Sequence, residues 1–444
     1  MDLNEYYQHP VIKNNLLNFF SGCNWFLTGG SHYSRDPKWG KDPAVRVFPI
    51  TELEVRLGQG PDIFRPLVDR HGVLGVFDIE YYNWDKKTLF LPDKEQEFGV
   101  RDKIFRRQLE PIYQIISQTF GEECIIDTTW SGYHLLTNIW KKSSVYELLF
   151  ELGKSWRDDG TPRCLEKSLV TAYNEKIYDD LKRNSGTDLK DGVVYQQFGR
   201  VLEFLSHQII QQAQEKVSLP VTICDSTEEC LSLDLSQYAD PVYMRIIRSV
   251  FSSWDKHNQI ESLSQIVGKP PFLDIVRKYG SYENQDIKQV LHLAQDYERA
   301  VEYNQQFSNC IPLAGKKTLA LIEQYAQSKL YAFHQEFDKT EHDATDENYK
   351  LAKFDHNLSW DTREMMEYPN PTLLQPRNLK RLTEELMSKG WHPKHIGGML
   401  AGRYEAEGKG WDKRYWSKYK PRTRANFWAR TYAALALREK GELS

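Results

Sequence analysis

Residues 72–82 read GVLGVFDIEYY. Val76, Phe77, Ile79 and Tyr81 give the run the apolar, β-branched and aromatic content of a buried strand. Asp78 and Glu80 interrupt it. Side chains two apart on a strand share a face, so these carboxylates point the same way. Two unpaired carboxylates that close repel one another, and burial worsens the repulsion. Cationic side chains or divalent metal ions are the usual remedy. The plainer alternative is an edge strand whose acids face water.

The neighbouring text alternates strand and helix. AVRVFPI (44–50) reads as a short strand. Residues 100–120 carry Phe105, Leu109, Ile112, Ile115 and Ile116 as one helical stripe. CIIDTTWSGYHLLTNIW (124–140) alternates around a Ser-Gly turn and reads as a hairpin or bent strand. Residues 194–217 are helical, and 230–252 return to strand-like text. This order indicates an α/β or α+β domain over residues 1–260. Residues 286–307 and 316–337 predict long helices within a helical extension over 261–337. An acidic linker or exposed loop is expected over 338–375.

From residue 376 to 444 the chain reads as a small, basic, Trp-rich helical domain. It holds about 16 Lys and Arg against about 7 acids, roughly +9. The whole chain, with 58 basic and 62 acidic residues, is at −4, so the average hides this patch. Cationic side chains and Trp391, Trp411, Trp416 and Trp428 suit single-stranded nucleic acid. The alternative is that the Trp residues form a small helical core. No apolar run is long enough to span a bilayer and no apolar leader is evident, so cytoplasmic residence without a membrane partner is the expectation. The six cysteines form no C-x-x-C pair, which argues against a zinc ribbon and against a disulfide scaffold. PLAGKKT (312–318) fails as a P-loop, because Lys317 intervenes before Thr318 and Cys310 stands where the earlier glycine belongs. Any helicase is therefore expected on a separate chain.

Two further stretches carry chemistry. WSGYHLL (130–136) places His134 on a strand just after a small turn. SLDLSQYADPVYMRIIRSVFSSWDKH (232–257) sets Asp234 in an apolar strand, followed by Arg245, Arg248, Ser252 and Lys256 at spacings of three, four and four. Basic groups and a hydroxyl converging near an acid suit a polyphosphate, with carboxylates holding the metals that bridge it. A solvated basic strand end is the competing reading.

Taken together, these motifs resemble the archaeo-eukaryotic primase superfamily, the primase-polymerases. Its acid pair on a strand is matched by Asp78 and Glu80, and its small-residue-x-His motif by Gly132, Tyr133 and His134, with Ser131 just before. Its third acid is matched by Asp234, and the R-x-x-R-x-x-x-S-x-x-x-K pattern of replicative members by Arg245, Arg248, Ser252 and Lys256. Asp225 and Asp127 are rival third acids, and Arg46 in VRVFP partly matches an upstream signature. The resemblance covers about residues 40–260 and implies an RRM-like antiparallel or mixed sheet with all-α regions after it. It also implies template-dependent nucleotidyl transfer, as a DNA primase or polymerase, with two Mg²⁺ or Mn²⁺ ions held by Asp78, Glu80 and Asp234. Ser131, Gly132, His134, Arg245, Arg248, Ser252 and Lys256 would bind an NTP or dNTP opposite a single-stranded DNA template. No structural zinc is expected. A catalytically silent single-stranded nucleic-acid-binding module and a metal-dependent nuclease are the alternatives.

Overall fold

The structure is a computed structural model that describes residues 1–28, 47–57, 62–83, 89, 99–156, 162–163, 189–224, 228–239, 242, 245–254, 272–307, 310–341, 358–367, 376–405 and 421–443. It is a mixed α/β fold. In chain order its strands are β1 (Trp25–Thr28), β2 (Val47–Pro49), β3 (Ile63–Pro66), β4 (Gly72–Tyr82), β5 (Ile125–Thr128), β6 (Gly132–Trp140), β7 (Ser155–Trp156), β8 (Pro162–Arg163), β9 (Val221–Ile223), β10 (Cys230–Asp234), β11 (Ile246–Arg248), β12 (Ile275–Tyr279) and β13 (Tyr282–Glu283). The central sheet has the order β13-β12-β5-β6-β4-β10-β9, antiparallel except for the parallel β10–β9 pair. A second sheet, β11-β3-β1-β2, is antiparallel throughout.

The stretch 72–82 is β4, the strand between β6 and β10 in the central sheet. It pairs with β6 from Gly72↔Trp140 to Glu80↔Gly132 and with β10 from Cys230↔Tyr82 to Asp234↔Asp78. Its first six residues are buried, whereas Asp78, Glu80 and Tyr82 are half-buried on one face. The acids therefore lie on an interior strand where one face opens, and the edge-strand alternative falls. Gly132 is needed at the β5–β6 turn: a Cβ there would sit 1.8 Å from the Ile79 carbonyl oxygen. Thr129 closes the turn, its amide donating to the Gly132 carbonyl at 2.9 Å and its hydroxyl accepting from the Gly132 amide at 3.1 Å.

The helices used below are α1 (Leu3–Gln8), α2 (Glu110–Phe120), α3 (Ser144–Gly153), α4 (Leu189–Ala213), α5 (Lys316–Ala326), α6 (Lys329–Lys339), α7 (Pro376–Ser388), α8 (Pro393–Glu405) and α9 (Pro421–Glu439). The stripe read over 100–120 is buried at Phe105, Leu109, Ile112, Ile115 and Ile116, with a π turn at Phe105–Leu109 leading into α2. Helix α4 packs on β4, β9 and α3.

Three expectations are corrected. The two long helices each split in two. Asp296 accepts from the amides of Glu298 and Arg299, and Ser328 from that of Tyr331, so each starts a new helix. The extension expected to be helical over 261–337 contributes β12 and β13, hinged at Gly280, whose φ is +56°. Leu273, Ile275 and Val276 are buried there, which beats the helical surroundings. The Trp-rich tail does not stand apart. Trp428 is buried and stacks on Tyr432 at 5.4 Å, and α9 packs on α4 and on the turn Ser236–Ala239. One apolar core runs from Tyr6 to Leu435. Trp391 is half-buried, while Trp411 and Trp416 lie outside the described residues. No helix among the described residues is long and apolar enough to cross a membrane.

Candidate active site

Strand pairing alone sets up the site. Residues directly opposed on antiparallel strands share a face. Asp127 opposes His134, His134 opposes Asp78, and Asp78 opposes Asp234. Four strands thus place acid, imidazole, acid and acid in one row across the sheet. Glu80 occupies the next rank, opposite Gly132 and Ser232.

Within the row, His134 faces a carboxylate on each side. Its Nε2 is 3.7 Å from Asp78 Oδ1 and its Nδ1 is 3.4 Å from Asp127 Oδ2. Asp78 is 32% exposed while Asp127 is 0% exposed, so the row runs from an open end into the interior. Asp234 is half-buried at the open end. Its Oδ1 accepts from the Ser236 amide at 2.7 Å and lies 3.6 Å from the Cys224 thiol.

The second sheet delivers a cation. Arg248 ends β11, and its Nε is 3.5 Å from Asp274 Oδ2. Asp274 is brought in because segments 251–254 and 272–274 pair: the Phe251 amide donates to the Asp274 carbonyl at 2.7 Å and the Asp274 amide to the Ser252 carbonyl at 3.0 Å.

Electrostatics follow from this crowding. Burial raises the Asp78 carboxyl above the ordinary carboxylate range, and Asp234 and Asp127 raise it further against the pull of His134 and Arg248. Burial also raises Asp274, with Asp127 adding and Arg248 opposing. Burial pulls His134 down, but Asp127 and Asp78 more than offset it and leave it at about 9. Adjacent carboxylates that resist ionisation together are a donor set that a divalent ion relieves. Asp78, Glu80 and Asp234, on one open face, fit such an ion in chemistry. Among the described residues, however, the set that brings one donor atom each within 4.8 Å of the others is Asp127, His134 and Asp274, and Asp78, Glu80 and Asp234 do not come that close together.

The residues expected from sequence divide as follows. Asp78, His134, Asp234 and Arg248 come together, and Glu80 flanks them. Ser131 and Gly132 form the adjoining turn, the Ser131 carbonyl accepting from the Tyr81 amide at 2.8 Å. Arg245 is half-buried and donates to the Ser236 carbonyl at 2.8 Å. Ser252 is fully buried, and its hydroxyl accepts from the Ile63 amide at 2.7 Å; it staples the two sheets and presents no free face to a ligand. Lys256, Asp225 and Arg46 lie outside the described residues. Asp274 went unread, although FLDIV repeats the apolar-Asp-apolar pattern of SLDLS.

Comparison of the chain with family models, with curated proteins and with solved structures finds no match. The reading of the site rests on its own geometry.

The failed P-loop at 312–318 has its own explanation. The amides of Gly315, Lys317 and Thr318 and the Thr318 hydroxyl all donate to the Glu123 carboxylate, at 2.7 to 2.9 Å. The N-terminus of α5 does bind an anion, but the anion is the protein's own side chain.

Proposed function

We infer that the chain is a template-dependent nucleotidyl transferase of the primase-polymerase kind. The observation that carries this reading is the direct opposition of Asp78 and Asp234 on paired strands, with Glu80 one rank along and His134 and Arg248 beside them. Asp78, Glu80 and Asp234 would hold Mg²⁺ or Mn²⁺, which when bound lowers the pKa of an attacking hydroxyl and offsets triphosphate charge.

The remaining work falls to the chain. The carboxylates on either side of His134 favour a proton on its imidazole, and the Nε2 that faces Asp78 would donate to phosphate oxygens. Arg248 brings a guanidinium from the second sheet, and its Nε and Nη1 make no hydrogen bond. Both atoms are buried and Nε faces Asp274, so the guanidinium would act on a triphosphate through its charge. Gly132 lets the His134 strand approach β4 closely enough for both rows to share one surface. A DNA template would pass over the same half-buried strip, and a replicative helicase would act as a separate partner.

The test is extension of a labelled primer on single-stranded DNA, with NTPs and dNTPs, in Mg²⁺ and in Mn²⁺. Asp78→Asn with Glu80→Gln is expected to cut incorporation by about 10³-fold or more, because charge stabilisation of the transferring phosphate is the largest single term in such catalysis. Template binding and the circular dichroism spectrum stay as they were. Full incorporation by the double variant ends the assignment.

A further inference from the structure

The deep end of the row holds chemistry that nucleotidyl transfer does not use. Asp127 is fully buried, and neither of its carboxylate oxygens has a hydrogen-bond partner. His134 Nδ1 and Asp274 Oδ2 are buried and likewise make no hydrogen bond, Arg248 Nε standing 3.5 Å from the latter. Buried polar groups are ordinarily hydrogen-bonded, and a buried bare carboxylate is among the costliest exceptions. Three such groups aimed at one point call for something between them.

That something is positively charged and small. His134 Nδ1 and Asp127 Oδ2 stand 3.4 Å apart without the alignment of a hydrogen bond. A tetrahedral ion with ligand bonds of about 2.1 Å has donor-to-donor edges of about 3.4 Å. One donor atom each from Asp127, His134 and Asp274 falls within 4.8 Å of the other two, so a small closure completes the set. Charge agrees. Asp127 and Asp274 against Arg248 leave a net negative charge around a neutral imidazole, which favours a cation between them.

The geometry points to a divalent-cation site formed by Asp127, His134 and Asp274, buried behind the half-exposed acids and separate from them. One imidazole nitrogen with two carboxylates suits Zn²⁺ or Mn²⁺, whereas Mg²⁺ and Ca²⁺ favour oxygen-only sets. With Nδ1 on the ion, His134 keeps a proton on Nε2, the atom that faces Asp78. The ion would thus fix the ring that the open site uses. The cysteine pattern gives no hint of such a site, because no thiol takes part.

The assignment stands on donor atoms alone and is independent of the nucleotidyl-transfer reading. Its test is metal uptake by the full-length protein with no nucleotide or template present. After chelation and dialysis, ZnCl₂ or MnCl₂ is added and bound metal is counted by mass spectrometry. Co²⁺ is added in parallel, and its visible absorption reports nitrogen and oxygen ligation. The wild type and the Asp78→Asn/Glu80→Gln variant are expected to hold about one tight equivalent. Asp127→Asn and Asp274→Asn each weaken it by about tenfold or more, and His134→Gln shifts the Co²⁺ spectrum. No tight equivalent in the wild type overturns the site, whatever the variants do. Loss of that equivalent in Asp78→Asn/Glu80→Gln assigns the metal to the open acids and overturns it equally. If either Asn variant fails to fold, the other variant and the wild-type Co²⁺ spectrum decide.

Discussion

Two buried charge clusters in this molecule are built to opposite rules. Among the helices, Arg200 of α4 donates two bonds to Asp338 of α6, at 2.6 and 3.0 Å. Arg430 of α9 reaches Glu203 of α4 at 3.1 Å, and the Tyr325 hydroxyl meets His334 Nδ1 at 2.8 Å. Each guanidinium there is hydrogen-bonded to a carboxylate on another helix, although Arg200 Nε, Arg430 Nε, Glu203 Oε1 and His334 Nε2 make no hydrogen bond, and the cluster ties α4, α6 and α9 together. In the sheet, the Asp127 carboxylate accepts no hydrogen bond, Arg248 Nε and Nη1 donate none, and the Asp78 and Asp234 carboxylates stand on opposed residues. Equal burial yields a clamp in one place and an unmet demand for charge in the other. What separates the two is that carboxylates meet guanidiniums through hydrogen bonds in the one and stand opposite one another in the other.

That contrast can be broken at several points. The largest effect is expected from Arg430→Met, which strands the Glu203 carboxylate in the core and should cost about 3–5 kcal/mol. Urea melts would show it, with primer extension per folded molecule unchanged; a variant as stable as the wild type would deny the clamp.

Acid should loosen the same cluster. Burial holds His334 down at about 4, with Arg430 and Arg200 pressing the same way against Glu203. The unfolded chain takes up a proton near the ordinary histidine value of about 6.5, the native one only near 4, so stability is full above that window and falls as pH drops through it. The whole window is worth about 3 kcal/mol. Urea melts at pH 7 and pH 4.5 measure the slope, and His334→Gln should reduce it, leaving the share of His207, which burial also pulls down to about 4.

The smallest effect has the opposite sign. Because the Asp78 carboxyl is raised in the native state, its charge opposes folding above the ordinary carboxylate range. Asp78→Asn should therefore stabilise the protein by about 1 kcal/mol at pH 8, discounted for its part exposure, and give nothing near pH 3. A loss of stability at pH 8 would mean that Asp78 is already paired as Arg200 is.

Much of the sheet was legible because its signals are local. Alternation and turn residues mark β4, β5 and β6, and the period of two tells which residues share a face. Asp78, His134 and Asp234 could be nominated on that basis. The burial of Ser252 could not, since its hydroxyl is taken by an amide nearly two hundred residues earlier. Nor could the fate of the tail: a Trp at helical spacing serves a core or a ligand equally well until its neighbour is known, and Trp428 has Tyr432. Asp127 stood as a weak rival because a strand shows its alternation but not its partner, and only the opposition to His134 gives it meaning. Asp274 escaped because the short strand after it is surrounded by helical text.

Strand β12, next to the sheet's edge, has a consequence for biogenesis. Asp274 precedes it, and its backbone is held by Phe251 and Ser252. The deep end of the row therefore stays incomplete until the ribosome has delivered the chain past β13 and that edge has docked. Synthesis order withholds one wall of the cluster, so a nascent chain lacking it exposes Asp127 and His134 to water, and the charge demand arises only as the sheet gains its last strands.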